Sequence, residues 1–104
     1  MKHTSEFVVV GLDGSEAADE AAKWAADEAA RRHCELRLVH AYSLPANAGY
    51  PGYNAYPDDL RPVLQDVGRR LVNRVTDDLQ RTHPGLAISS KVLRLAEVLD
   101  DPTP

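Results

Sequence analysis

The sequence predicts an α/β domain built on a parallel sheet of about three strands with two long helices. Three observations carry this. An apolar β-branched run, Phe7-Val8-Val9-Val10-Gly11-Leu12, opens the chain after a short polar lead. An alanine-rich helical segment follows, and then a second apolar run, Leu36-Arg37-Leu38-Val39-His40-Ala41. Strand, helix and strand in that order, with short connections, form a βαβ unit whose right-handed crossover makes the strands parallel neighbours.

The first run is apolar at every position, as in a strand inside a parallel sheet with helices on both sides. It stops at Asp13-Gly14-Ser15, a turn cluster. Ser15 supplies a hydroxyl N-cap, and Glu16, Asp19 and Glu20 lie near the positive end of the helix dipole. Eight of the fifteen residues from Glu16 to Ala30 are alanine. They make a smooth face that packs closely on a sheet, with Trp24 adding bulk at one edge. Asp19 with Lys23, Asp27 with Arg31 and Glu28 with Arg32 are acid-first pairs at four-residue spacing.

Ser43 to Pro57 holds three Pro, two Gly and two Asn, with Tyr50, Tyr53 and Tyr56. This composition reads as a loop, either a cover over a site or a self-packing segment. Asp58 or Asp59 caps the next helix, and Pro62 falls in its first turn. Leu60, Val63, Leu64, Val67, Leu71, Val75 and Leu79 give the amphipathic spacing, with Asp66–Arg70 and Asp77–Arg81 outside. Pro84-Gly85 ends the helix. Leu86 to Leu95 reads as a third strand, with Ser89, Ser90 and Lys91 marking an edge position. Ala96 to Asp100 reads as one helical turn.

Composition narrows the function classes. The chain has 104 residues, 43% hydrophobic and 27% charged, with a net charge of −4. Those are the proportions of an ordinary globular domain. Acidity argues against nucleic-acid or anionic-membrane binding, which needs a basic face. No run approaches the ~20 apolar residues of a membrane span. A single cysteine, Cys34, fits a reducing compartment, so a cytoplasmic location is expected. Cys34 itself reads as a small buried hydrophobe. His3, His33, His40 and His83 lack metal-ligand spacing, and no nucleophile–base arrangement is legible. No catalytic residue and no metal site are therefore expected. His40, at the end of the second strand, reads as a structural histidine with a local partner.

The turn Gly11-Leu12-Asp13-Gly14-Ser15 is the candidate site. It lies at the carboxyl end of a parallel strand and opens a helix, where ligands and anions bind. It is neither a Walker A loop nor a dinucleotide fingerprint. Turn and cap chemistry alone also accounts for its residue types.

Val8-Val9-Val10-Gly11-Leu12-Asp13-Gly14-Ser15, then Lys23-Trp24-Ala25-Ala26, then Leu36 to Ala41 resemble the first half of the universal stress protein family. His83-Pro84-Gly85-Leu86 continues the resemblance to about residue 99. It implies a Rossmann-like adenine-nucleotide fold with strand order 3-2-1-4-5, a stress-response role without a defined reaction, and frequent dimers. By position it places adenosine contacts on Gly11, Leu12, Asp13 and Ala41, with Asp13 near the ribose and adenine.

Two features depart from the family. Arg94-Leu95-Ala96-Glu97-Val98-Leu99 lacks the Gly and Pro that follow the third strand, and no glycine-rich phosphate motif is present. The resemblance therefore implies a single domain over 1–104, truncated at its carboxyl end, with weak or absent binding of ATP or another adenine nucleotide alone. The alternatives are a nucleotide site completed by a partner chain, and a dimerisation or regulatory module. With a fourth strand missing, the first strand becomes an edge, part of each sheet face is left uncovered, and a homodimer through that strand is expected.

Overall fold

The computed structural model describes residues 6–43 and 60–95. Along the chain these form β1 (Phe7–Gly11), α1 (Glu16–Arg32), β2 (Glu35–Tyr42), α2 (Leu60–Thr82) and β3 (Ile88–Arg94). The strands pair in parallel in the order β1-β2-β3. The α/β class, the strand count and the two long helices are those read from the sequence. The tyrosine-bearing loop, the Asp58 or Asp59 cap and the Ala96–Asp100 turn lie outside the described residues.

Both crossovers step the same way across the sheet. Two right-handed crossovers in one direction place both helices on one face. On β2 the even-numbered side chains meet that layer, and Leu36 and Leu38 are fully buried there. Ala22, Ala25, Ala26 and Ala29 of α1 and Val72, Val75 and Leu79 of α2 close the core. A methyl group is the only side chain these alanines place between helix and sheet, so α1 lies close to β1 and β2.

The opposite face carries Phe7 and Val9 of β1, Glu35, Arg37 and Val39 of β2, and Ser89 and Lys91 of β3 in register. Among the described residues no helix covers it. Among the described residues the first strand lies at the sheet edge, as the family resemblance led one to expect, although its apolar run alone reads as an interior strand; Val9 is 54% exposed. One expectation is corrected: among those residues the uncovered surface is one face of the sheet, not part of each. An all-apolar run records that both sides of a strand can be buried; it does not say which neighbours bury them.

Helix α2 is turned relative to its apolar spacing. Val63 and Val67 are exposed, while Gly68 and Val72 are buried. The cause is a close approach. A methyl group at Gly68 would lie 2.6 Å from His40 Cδ2 and 2.9 Å from a Val92 methyl. The helix backbone itself rests on β2 and β3 at this point. Tyr42, buried, accepts a hydrogen bond from Gln65 Nε2 at 3.1 Å one turn earlier.

Several surface pairs also differ from the four-residue pattern. Glu28–Arg32 and Asp66–Arg70 form as expected, at 2.7 and 2.9 Å. Lys23 instead meets Glu20, Arg31 meets Glu28, and Arg81 meets Asp78. Asp19 is drawn across to Arg74 on α2, and Asp27 to His83 just past the end of α2. A partner on or beside the neighbouring helix competes for the same carboxylate. No described helix is long and apolar enough to cross a membrane.

Candidate functional site

The candidate site forms where β1 gives way to α1. The Leu12 N–H donates to Val39 O at 2.8 Å, the last rung of the β1–β2 ladder. The Leu12 side chain drops into the core. Its carbonyl accepts a hydrogen bond from His40 Nδ1 at 2.8 Å. A carbonyl can only accept, so His40 holds its proton on Nδ1. His40 thus joins the turn to β2 while its ring edge rests on Gly68 of α2. This bears out a structural role for His40, though its partner lies across the sheet and not nearby in sequence.

Asp13 then folds back on the helix start. Its Oδ1 accepts from the Ser15 N–H at 2.9 Å and from the Ser15 hydroxyl at 2.6 Å. The hydroxyl oxygen in turn accepts from the Ala18 N–H at 3.1 Å, which makes Ser15 the N-cap of α1. Gly14 between them has φ of 86°, the left-handed region that glycine enters without strain. The Ser15 hydroxyl holds the Asp13 carboxyl below the ordinary aspartate range, helped by the Ser15 N–H. Asp13 is exposed, and its Oδ2 has no hydrogen-bond partner among the described residues. It is a carboxylate anchored through one oxygen.

Ala41 lies near the end of β2 and is exposed. The register pairs Gly11 with Val39 and Ala41 with Leu93. Gly11, Leu12 and Asp13 lie at the carboxyl end of β1 and Ala41 near the carboxyl end of the neighbouring β2, so all four are at the carboxyl edge of the sheet. The Leu12 side chain is buried, whereas Asp13 offers an exposed carboxylate and Ala41 an exposed methyl group.

The remaining polar residues do not converge on it. His33 caps α1 in the left-handed conformation, with φ of 57°. His83 bonds Thr82 Oγ1 through Nδ1 and Asp27 through Nε2, at 2.8 and 2.7 Å. Among the described residues no group of three His, Cys, Asp or Glu is placed to hold a metal. A groove of about 860 Å³ lies at the amino end of the sheet, between Cys34, His83 and Leu86. Cys34 is half-buried on its wall and not enclosed as the sequence suggested. Parallel sheets bind ligands at the opposite end, so the turn and not this groove is the candidate site.

The model of the universal stress protein family matches residues 6–97. The chain belongs to the universal stress protein family. It is 42% identical over 64 residues to universal stress protein Rv3134c of Mycobacterium tuberculosis (strain ATCC 25618 / H37Rv), covering 62% of this chain and 24% of that protein. It is 34% identical over 97 residues to universal stress protein Rv1996 of the same organism, covering 93% and 29%. The chain thus spans about a quarter of the length of the curated relatives it matches. Among solved structures, a universal stress protein family member from Burkholderia pseudomallei aligns with TM-score 0.68 and 27% identity, over 86% of this chain and 63% of that one. A universal stress protein solved in complex with cAMP aligns with TM-score 0.59 at 22% identity, a likeness of fold.

Within this family member, sequence reasoning named Gly11, Leu12, Asp13 and Ala41 as candidate contacts and Ser15 as the helix cap, and Ser15 caps α1. It missed the contact between His40 and Gly68, which fixes the turn from behind. A glycine inside an otherwise apolar helical pattern was the available signal, since it costs about 1 kcal/mol against alanine unless packing requires it.

Proposed function

We propose that the chain is a cytoplasmic stress-response domain carrying the adenosine half of a nucleotide site, with binding and not catalysis as its activity. The observation that carries this reading is the exposed Asp13 carboxylate, anchored through Oδ1 by Ser15, at the carboxyl edge of the parallel sheet. A ribose diol donates to such a carboxylate, and Ser15 keeps it ionised and oriented. Gly11 leaves the approach open, for a methyl group there would meet only Val39 O at 4.0 Å.

Triphosphate binding is a different matter. The sequence has no glycine-rich phosphate motif. Each charge-assisted hydrogen bond from such a motif is worth ~1.5–3 kcal/mol. The chain alone therefore binds ATP weakly or not at all. Calorimetric titration with ATP should show no site tighter than ~100 μM, about −5.5 kcal/mol. Adenosine should shift amide resonances near Gly11–Ser15 and Ala41, and Asp13→Ala should remove those shifts while leaving the far-UV circular dichroism unchanged. Tight ATP binding by a monomer, or adenosine shifts that persist in Asp13→Ala, would overturn this assignment.

A further inference from the structure

We propose that His40, seated on Gly68, is the positioning residue of the candidate site and sets the direction in which Asp13 presents its carboxylate to a ligand. The consequence for binding rests on the adenosine reading; the effect on Asp13 itself does not. In a parallel pair, a bonded residue gives its N–H and its C=O to residues two apart on the partner strand. The Leu12 N–H donates to Val39 O at 2.8 Å, so an unbroken ladder would give the Leu12 carbonyl to the Ala41 N–H. Strand pairing stops at Gly11 and Val39 instead, and the His40 ring takes that carbonyl through Nδ1 at 2.8 Å. A side chain thus replaces a backbone donor where β1 ends.

This exchange lets the chain turn without leaving a carbonyl unpaired. A carbonyl bonded by the next backbone N–H of β2 keeps its strand in the sheet, whereas one bonded by a ring is satisfied while the chain departs. The Leu12 carbonyl and the Asp13 N–H belong to one planar peptide, so fixing the oxygen fixes the plane from which Asp13 starts. Leu12 is held at three points: its N–H by Val39, its carbonyl by His40 and its side chain in the core. Beyond Asp13, the Ser15 N–H and hydroxyl hold Oδ1 at 2.9 and 2.6 Å. Ser15 therefore ties the carboxylate to α1, and His40 ties the backbone of the same residue to β2. Without the second tie the bonds between Asp13 and Ser15 still form, because they are local, but they move with the start of α1 and not with the sheet.

The ring is itself held. Its Cδ2–Nε2 edge meets α2 where Gly68 has no side chain, and an added methyl group there would lie 2.6 Å from Cδ2 and 3.4 Å from Nε2. Val92, the register partner of His40 on β3, closes the slot with a methyl group 2.9 Å from the same point. Gln65 Nε2, donating to the Tyr42 hydroxyl at 3.1 Å, fixes α2 against β2 nearby. A ring confined in this way keeps Nδ1 on the Leu12 carbonyl, and a site whose supporting shell is locked by packing holds its geometry before the ligand arrives. Glycine inside a helix is unfavourable against alanine, and here it stands at the point where the ring needs the space.

The test uses the full 104-residue chain and separates fixing the turn from filling space. His40→Leu keeps an apolar body and removes the donor, whereas His40→Asn puts an amide N–H near the place of Nδ1. In the unsubstituted chain, residual dipolar couplings of the Asp13, Gly14 and Ser15 N–H bonds should fit the alignment frame of the sheet. In His40→Leu they should lose that fit while the circular dichroism is kept, and in His40→Asn they should regain it. Adenosine affinity, read from amide shifts, should follow: roughly five-fold weaker in His40→Leu, the worth of one hydrogen bond, and within about two-fold of the unsubstituted chain in His40→Asn. Gly68→Ala pushes on the ring from α2 and should disturb the same couplings. If His40→Leu does not fold, Gly68→Ala decides by those couplings. Turn couplings that still fit the sheet in His40→Leu overturn the proposal, whether or not adenosine binds. A loss that His40→Asn fails to recover also overturns it, since the ring would then act by packing alone. An absence of adenosine shifts in the unsubstituted chain overturns the adenosine reading, and the couplings still decide the role of His40.

Discussion

The two faces of the sheet are made from the same strands and yet obey different rules. On the helical face Leu36 and Leu38 are fully buried and touch alanines and valines. On the uncovered face the register neighbours are Glu35, Arg37, Ser89 and Lys91. There the Arg37 guanidinium lies 3.7 Å over the Phe7 ring, and Ser89 Oγ donates to Glu35 at 2.6 Å. One face gains stability by excluding water. The other manages in water with polar links across strands. The comparison teaches that burial, and not strand sequence, sets what a substitution costs. Leu38 and Arg37 are adjacent in the chain and belong to different worlds.

The largest expected effect tests the covered face. Leu38→Ala should cost about 2–5 kcal/mol, because the helices cannot collapse fully into the space left. Urea unfolding followed by circular dichroism measures it, and a loss below about 1 kcal/mol would mean the core is not packed as described.

A smaller effect sharpens the contact behind the turn. Gly68→Ala raises helix propensity by about 1 kcal/mol but forces a methyl group into His40 and Val92. Overpacking of this kind typically costs about 1–3 kcal/mol, so the net change should be destabilising. The His40–Leu12 hydrogen bond should loosen with it, seen as faster amide exchange at Leu12 to Ser15. A stabilised Gly68→Ala chain would show that α2 does not rest on β2 at this point.

The smallest effect belongs to the open face and is a matter of pH. The Ser89 hydroxyl holds the Glu35 carboxyl below the ordinary glutamate range; desolvation opposes this, and Arg37 assists. A carboxyl lowered in the folded state contributes stability that is present above the unfolded value. It is lost as pH falls through the folded value. Glu35→Gln should therefore lower thermal stability slightly at neutral pH and flatten its decline in acid. The two chains should converge at low pH. Because Glu35 is solvent-accessible, the shift should be small beside that of Leu38→Ala.

Much of this molecule was legible in its residues. Seventeen helical residues with alanine at the sheet-facing positions, a serine cap and a β-branched strand before them announce a βαβ unit without any tertiary information. These are local preferences and short-range spacings, and they act before the chain meets itself. The turn at the candidate site was legible for the same reason: Asp13 and Ser15 make their bonds within two or three residues.

What the tertiary structure alone decided are the relations between elements. Asp19 and Asp27 found partners on α2 and just past its end, and not on their own helix, because folding brought Arg74 and His83 within reach. Gly68, and not the valines before it, became the contact face of α2, because the ring of His40 stands beneath it. Among the described residues the apolar run of β1 lies at the sheet edge with one side uncovered. Periodicity reports the face a segment could bury; only the packed chain settles what is there to bury it.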